Sequence, residues 1–565
     1  MASSRVRLPV SASLRISPAR REILARTWPS AVAGVIGVVL LLALAWDAGG
    51  YFPSSYLAVG AIAFFVCAVL LAAATPRYRV STAALIGLGA LAALTLWTAA
   101  SATWSVTPDT ALEDAQRTLT YLALFGLALI AAGSGRLARH FVWLILGAIV
   151  IVTLAALLSR LYPDLIETGA PLATLTGYRL DYPFTYWNAL GALASMGTVL
   201  GLGLAADARA PVALRPLAAG GAVIAATTMY LTFSRGAWMA LAVGLVVLVA
   251  LAVNRGSLLL SGGIVGLGTA LVVLRLEAYP ALTDDPSAEA GQEAAGAAFG
   301  PYLLLIVAGV IAAQLAVATM RASPRLMVVL RKIFRPLLIG LAGLAVVGFL
   351  VAYGVAGSKA EERSAGAIAD GRDLLDRQWD DFLQPAAFAG TGSARLTTTR
   401  GTRSDVYRVA LDGFEAHPLR GDGSGSFEYR WIRDREVNET ARDAHSLYLE
   451  TLGELGLVGV LLLLVFIGSL VWAAVRSRLK PGGLGRSASA AVAAACSVWA
   501  VHAAVDWDWQ MTALTGTALM LGATLYPYGQ KRRRRHPRGS ERSFWTPSEA
   551  KPGPAGTAAP GPAGP

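Results

Sequence analysis

The sequence contains little charge, cysteine or histidine. Only 15% of its 565 residues are charged, against roughly 25% in average soluble domains, which excludes an ordinary soluble protein. The two cysteines, Cys67 and Cys496, both lie in apolar stretches. They cannot build a disulfide framework or a metal cluster. No cleavable signal peptide, calcium-loop spacing or convincing internal repeat is present, and the GDGSGS run at 421–426 lacks the lysine of a nucleotide loop.

Apolar runs recur from end to end, and a run of about 20 residues is enough to cross a bilayer. Hydrophobic residues make up 55% of the chain, and the mean hydropathy is +0.55. We therefore predict an all-α polytopic membrane protein with about 12–14 transmembrane helices. The fourteen predicted spans are 29–46, 56–74, 81–100, 119–132, 141–158, 187–206, 216–233, 236–253, 257–274, 301–319, 336–356, 447–475, 488–505 and 510–528.

Basic residues are distributed unevenly over the loops that these spans define. If the connections alternate sides, one side carries 30 of the 48 Lys and Arg residues, and the short loops opposite carry 5. Cytoplasmic loops are enriched in Lys and Arg. Both termini are therefore predicted to be cytoplasmic and the one long loop to face outside. The net charge of +12 reflects this topology, so a nucleic-acid partner is not needed to explain it.

The pattern divides the chain into five parts. Residues 1–28 form a basic leader, 29–356 a transmembrane domain of about eleven helices, and 357–446 an extracytoplasmic loop domain. Residues 447–528 form the C-terminal transmembrane helices, and 529–565 a cytoplasmic tail. The tail begins with KRRRRHPRG, which suits anionic lipid headgroups, and continues in Pro, Gly and Ala, which predicts disorder.

The long loop has its own pattern. Residues 361–381 place apolar residues at helical spacing among charges, and residues 404–415 do so again. Residues 417–427, HPLRGDGSGSF, are typical of a tight turn. The acids at 370–381 are interpreted as one face of the first helix rather than as a calcium site.

Two residues are the strongest candidates for chemistry. His445 lies where the long loop meets a predicted span, and histidine titrates near neutral pH, which suits a general base. Arg235 lies between two apolar runs on the predicted outer side. It is either an interfacial arginine or an anion clamp, since guanidinium forms paired hydrogen bonds to phosphate. Of the other histidines, His417 lies in a turn and His502 in a predicted span, and neither is expected to act in catalysis.

Other polar residues have plainer interpretations. Arg403 and Arg408 fall on or before the loop helix at 404–415, where solvated charges are usual. Arg179 and Asn188 lie beside aromatics of the kind common at membrane interfaces. Asp506 and Asp508, in VDWDWQ, are expected to cap a short turn.

Four stretches, in this order, resemble the O-antigen ligase and O-antigen polymerase superfamily of bacterial envelope glycosyltransferases. They are RLDYPFTYWNALG at 179–191, TFSRGAW at 232–238, TRSDVYRVALDGFEAHPLRGDGSGSF at 402–427 and AHSLYLETLGELGLVG at 444–459. The architecture is similar over about residues 30 to 528. Ser446 departs from the pattern, because Asn often follows the histidine in that family.

The resemblance implies a C-type, metal-independent, inverting glycosyltransferase that needs no cofactor. Its donor is a glycan on polyprenyl (undecaprenyl) diphosphate, and its acceptor is a hydroxyl of lipid, protein or cell-wall glycan outside the bacterial plasma membrane. Carried over, Arg235 and Arg403 hold the diphosphate and His445 is the base. Arg179, Asn188 and Arg408 are further candidates for donor or acceptor contacts.

Two alternatives stay open. An O-antigen-type polymerase of polysaccharide repeat units uses the same chemistry, and the sequence does not separate it from a ligase. A polysaccharide transporter or flippase would have a similar number of spans. It would need charges along a pathway inside the spans, and these spans are almost free of charge.

Overall fold

The computed structural model describes residues 18–73, 80–133, 135–166, 178–284, 289–320, 403–479 and 484–526. Within these ranges 79% of the residues are helical and no strand is found. The predicted class, an all-α polytopic membrane protein, is confirmed. Residues 1–17 of the predicted leader 1–28, the predicted span 336–356, the predicted helix 361–381 with its acids and the tail 529–565 lie outside the described residues.

Sixteen α-helices and one short 3₁₀ turn (Ala48–Gly50) make up the described part of the chain. The helices are α1 Pro18–Trp46, α2 Pro53–Ala73, α3 Thr82–Ser101, α4 Pro108–Ala131, α5 Gly135–Leu161, α6 Trp187–Ala206, α7 Leu214–Leu231, α8 Arg235–Leu251, α9 Arg255–Leu276, α10 Pro280–Thr283, α11 Glu289–Met320, α12 Arg403–Ala416, α13 Phe427–Asp434, α14 Leu447–Leu479, α15 Arg486–His502 and α16 Thr512–Ala523.

Every predicted span that falls in the described ranges coincides with a helix. Among the described helices, eight are long and apolar enough to cross a membrane by themselves: α1, α2, α3, α5, α6, α9, α11 and α14. Helices α8 and α16 are apolar but shorter, with 17 and 12 residues. Helix α4 begins at Pro108, well before the predicted start at 119, because proline suits a first helical turn and the charged residues that follow it lower the hydropathy without ending the helix.

Helix α6 is the centre of the bundle. Of the residues in its apolar span, 94% are buried. The helix packs against α7, α8 and α15. Small residues permit the close approach: a Cβ on Gly203 would lie 2.5 Å from the Cβ of Ala491 on α15, and one on Gly191 would lie 2.8 Å from Oγ1 of Thr232. Helices inside a membrane associate through such small-residue contacts rather than through the hydrophobic effect.

Helix α14 is interrupted near its start, and a turn of the long loop fills the break. Gly456 has φ +64° and ψ −163°, outside helical values. The N–H groups of Leu457 and Val458 donate to the carbonyls of Pro418 and Leu419, while the N–H of Asp422 donates to the carbonyl of Gly453. The backbone groups freed by the break are thus satisfied by the turn, as buried backbone requires.

The loop helix predicted at 404–415 is confirmed as α12. Its buried face, Val406, Val409 and Ala410, packs with Phe427 and Trp431 of α13 in a small separate core. The turn predicted at 417–427 is also confirmed, since Gly421, Gly423 and Gly425 all have positive φ. This small core and the turn fix α12 to the first turns of α14, and so place the start of α12 beside residue 445.

Candidate functional site

The buried carboxylate of Asp506 gathers four side chains from distant parts of the chain. Asp506 is 1% exposed. Its Oδ1 accepts a hydrogen bond from the Tyr186 hydroxyl (2.6 Å) and lies 3.4 Å from Nδ1 of His445. Its Oδ2 accepts from Nδ2 of Asn188 (2.6 Å) and from Nη2 of Arg403 (3.2 Å). We call these five residues the Asp506 network.

Four separate elements supply the Asp506 network. Tyr186 and Asn188 stand at the start of α6, and Arg403 is the first residue of α12. His445 lies two residues before α14, and Asp506 lies in the turn 503–511 between α15 and α16. The network therefore forms only when the helix bundle and residues 403–445 of the long loop are packed together.

Opposing effects set the charge of Asp506. Burial alone would raise the pKa of its carboxyl, but the hydrogen bond from His445 and the charges of Arg403, His445 and His502 together lower that pKa below its ordinary value. Burial would likewise lower the pKa of the Arg403 guanidinium, and the charge of Asp506 raises it instead. At neutral pH the pair is ionised, which strengthens its hydrogen bonds.

The geometry orients the ring of His445. With its proton on Nδ1, the ring donates to Asp506, and Nε2 keeps a lone pair. The 3.4 Å separation is long, as catalytic hydrogen bonds in unliganded sites often are. The side chain is 31% exposed, so a substrate can reach it. His445 also has φ +48°, and its carbonyl accepts from the Tyr407 hydroxyl. Positive φ at a non-glycine residue stores about 1–3 kcal/mol of strain and is concentrated at functional sites.

Arg179 joins the network through Asn188. Its Nη2 donates to Oδ1 of Asn188 (2.8 Å), and Nε donates to the carbonyl of Thr232 (2.8 Å). A further bond reaches the carbonyl of Phe233 at 3.2 Å, and the guanidinium lies over the ring of Trp187, 4.5 Å from its centroid. Arg179 thus ties the start of α6 to the segment just before α8.

Arg235 is the first residue of α8 and is half-buried. It directly follows Ser234, whose hydroxyl caps the helix by accepting from the N–H of Ala237 at 3.3 Å. The carbonyls of Thr232 and Phe233 that bind Arg179 come just before the cap. Arg235 therefore stands at the positive end of a 17-residue helix, a position that favours anions.

Arg408 is not part of the Asp506 network. Its guanidinium pairs with Asp405 and with Asp412 on α12 and lies 3.6 Å from Glu436. Among the predicted site residues, the structure thus brings Arg179, Asn188, Arg403 and His445 together and leaves Arg408 among carboxylates of the loop domain. Within the described ranges, no three His, Cys, Asp or Glu side chains are arranged to hold a metal ion.

Asp506 and Asp508 do more than cap a turn, which is all that the sequence predicted for them. Each aspartate pairs with a different histidine: Asp506 with His445, and Asp508 with His502. A signal was present in the sequence, because two acids two residues apart at the edge of apolar spans are expensive unless they are paired. The identity of the partners was not present, since His445 is 61 residues away.

Residues 296–464 match the family model described as O-antigen ligase. The matched segment contains Arg403, Arg408 and His445, and it ends before Asp506. No curated protein matches the chain.

Proposed function

We propose, from the match of residues 296–464 to the family model described as O-antigen ligase, that the protein is an inverting glycosyltransferase. It moves a glycan from a polyprenyl-diphosphate carrier to an acceptor hydroxyl on the outer side of the bacterial plasma membrane. The match itself supports the coarser statement, a membrane enzyme that transfers glycans. The observation that carries the proposal is the hydrogen-bonded set of His445, Asp506 and Arg403.

The reaction we propose is a single displacement. The acceptor oxygen attacks the anomeric carbon, a new C–O bond forms, and the bond from that carbon to the diphosphate breaks. Nε2 of His445 takes the hydroxyl proton, and Asp506 stabilises the resulting imidazolium as it holds Nδ1–H. Attack from the face opposite the leaving group inverts the configuration.

The leaving diphosphate is stabilised by fixed cations in this proposal. Arg235 at the start of α8 and Arg403 beside His445 hold its oxygens, and Arg179 supports the segment just before α8. Preorganised positive groups of this kind stabilise charge that develops in the transition state without further rearrangement. Arg403 suits the task because its side chain is 33% exposed even though one nitrogen is held by Asp506.

Replacing Arg235 by lysine tests the diphosphate clamp. Lysine keeps the charge but loses the planar fork. A hydrogen bond to a charged group contributes about 1.5–3 kcal/mol, so we expect transfer from a lipid-linked donor to fall roughly 10- to 100-fold. Arg275→Lys is the matched control, since Arg275 pairs with Tyr279 at the end of α9. Normal transfer by Arg235→Lys would show that the clamp lies elsewhere.

Carrier-linked glycans from a strain that lacks the protein separate the remaining functions. A ligase leaves long polymer on the carrier, whereas a repeat-unit polymerase leaves single repeats. A transporter leaves glycan on the cytoplasmic side of the membrane. We expect long polymer facing outside. Accumulation of glycan on the cytoplasmic side would instead identify the protein as a transporter.

The orientation we propose puts both termini inside and residues 357–446 outside. The basis is the distribution of Lys and Arg over the loops. On that assignment the basic tail at 531–538 faces anionic lipid headgroups. Single cysteines at Ser393 and Ser548, in a chain without Cys67 and Cys496, should react with an impermeant reagent in intact cells only at 393. Labelling at 548 would reverse the assignment.

A further inference from the structure

A second aspartate–histidine pair lies under the site, and the mechanism above does not use it. Nδ1 of His502 lies 2.8 Å and 2.9 Å from the two carboxylate oxygens of Asp508. Both side chains are fully buried, at 0% exposure. Nε2 of His502 is buried and has no hydrogen-bond partner among the described residues. Native proteins leave few buried polar atoms unpaired, so this ring needs an explanation beyond packing.

The unpaired edge of the His502 ring faces the first turn of α8. A Cβ built on Gly236 would lie 3.1 Å from Nε2 and 3.3 Å from Cδ2 of His502. Gly236 directly follows Arg235. A Cβ at residue 236 would therefore press on the ring where the α8 backbone rests against it.

The opposite side of the same helical turn is held by α6. A Cβ on Gly191 would lie 3.0 Å from Cβ of Ala237, and the Ser195 hydroxyl donates to the carbonyl of Ala237 at 3.2 Å. The first turn of α8 is thus clamped between α6 and the His502 ring. Displacement of the ring would let this turn, and Arg235 with it, move toward α15.

The ring itself is fixed by the turn 503–511. Asp508 holds Nδ1 with its carboxylate, and its carbonyl accepts from the Thr515 hydroxyl on α16 at 2.6 Å. Asp506 lies two residues earlier in the same turn. One short turn therefore holds both the base, through Asp506, and the support of Arg235, through Asp508.

We propose that His502, fixed by Asp508, is a positioning residue that holds Arg235 in place for the diphosphate of the donor. This inference rests on the proposed role of Arg235. It differs from a packing role in one measurable way: disturbing the ring should weaken binding of the diphosphate, and the effect should pass through Arg235.

The test measures the Kd of undecaprenyl diphosphate for the purified full-length protein in detergent micelles, together with the melting temperature. His502→Asn keeps a donor for Asp508 but removes the ring edge that faces Gly236. Gly236→Ala instead presses a methyl group on an intact ring. Each should raise Kd roughly three- to tenfold, a fraction of what the loss of a charged hydrogen bond causes. Cys496→Ala, on α15 but away from this contact, should leave Kd unchanged.

A double variant shows whether the effect passes through Arg235. In the Arg235→Lys background, His502→Asn should raise Kd little further, because residues that act as a unit are not additive. Fully additive effects on Kd would mean that His502 acts only in packing. The same conclusion would follow if both His502→Asn and Gly236→Ala lowered the melting temperature and left Kd unchanged. Gly236→Ala keeps the test available should His502→Asn fail to fold.

The same measurements separate this inference from the proposed function. If Arg235→Lys leaves Kd unchanged, the clamp is wrong and the role of His502 fails with it. If Arg235→Lys raises Kd while His502→Asn and Gly236→Ala do not, only the role of His502 is overturned.

Discussion

The two aspartate–histidine pairs of this protein contain the same residue types and stand in different surroundings. In the outer pair His445 is 31% exposed over a buried Asp506, whereas His502 and Asp508 are both fully buried. Asp506 also holds Arg403, Asn188 and Tyr186. A histidine can exchange a proton with a substrate only where its second nitrogen is accessible. This difference in exposure supports our proposals of chemistry at the His445–Asp506 pair and of a positioning role for the His502–Asp508 pair.

The two carboxyls also differ in charge preference, although they are two residues apart. Burial raises the pKa of Asp508 above its ordinary value, and the charge of His502 only partly opposes this. At Asp506 burial acts in the same direction, but the bond from His445 and the charge of Arg403 lower the pKa. The number of donors around a buried carboxylate decides which effect prevails.

The largest effect on transfer is expected when the accessible base, His445, is removed. His445→Ala should lower kcat about 10²–10⁴-fold, the usual contribution of general-base help, with little change in Kd for undecaprenyl diphosphate. Transfer of radiolabelled glycan to the acceptor measures it. His417→Ala is the control, because His417 is exposed and pairs with Asp422 in the turn. Unimpaired transfer by His445→Ala would remove the outer pair from the mechanism.

Asp506→Asn tests whether the charge of Asp506 supports His445 in the reaction. The amide cannot stabilise an imidazolium and leaves Arg403 without its counter-charge, so we expect kcat to fall about 10²-fold, toward the lower end of general-base effects. The double variant with His445→Ala should be no slower than His445→Ala alone, because the two act as a unit. A further large loss in the double variant would mean that Asp506 acts through another residue.

Asp443, two residues before His445, provides a pH test of the same region. Burial raises the pKa of its carboxyl to about 6 from an ordinary 3.8, although His445, Arg117 and Arg442 oppose the shift. The folded state therefore favours the protonated form. The stability that this group contributes is fully present below about pH 3.8 and is lost as the pH rises through about 6.

Asp443→Asn should remove that loss. We expect a higher melting temperature at pH 7, equivalent to about 1–3 kcal/mol, and a flatter pH profile between 4 and 7. Thermal unfolding in detergent across this range measures both. A variant with the profile of the parent protein would show that Asp443 is ionised without penalty in the folded state.

The smallest effect is expected at Arg408, on the same helix as Arg403 but outside the Asp506 network. Its pair with Asp412 is partly exposed, and such pairs contribute about 0–1 kcal/mol, whereas its other partner, Asp405, is buried. Arg408→Gln should keep transfer within about twofold, although it leaves the buried Asp405 carboxylate without its cation and should therefore lower the melting temperature. A loss of transfer as large as that expected for Arg235→Lys would extend the site along α12.

Much of the fold could be predicted because the signals are local. Apolar runs located the helices, and the periodicity at 404–415 located α12. The start of α4 was predicted too late, since hydropathy ends at the charges around Arg117 although the helix does not. The break in α14 was not predicted, because the turn at 417–423 that satisfies its backbone lies more than 30 residues earlier.

For the site, the sequence by itself determined the chemistry available: an arginine at the start of α8, a histidine at the loop–span junction and a family resemblance that the match at 296–464 confirms. The tertiary structure alone decided which groups meet. It brought Asp506 to His445, Arg403 and Asn188, and it paired Asp508 with His502. It left Arg408 outside the Asp506 network. Hydropathy and periodicity record what each segment buries, whereas the meeting of side chains depends on how whole helices pack.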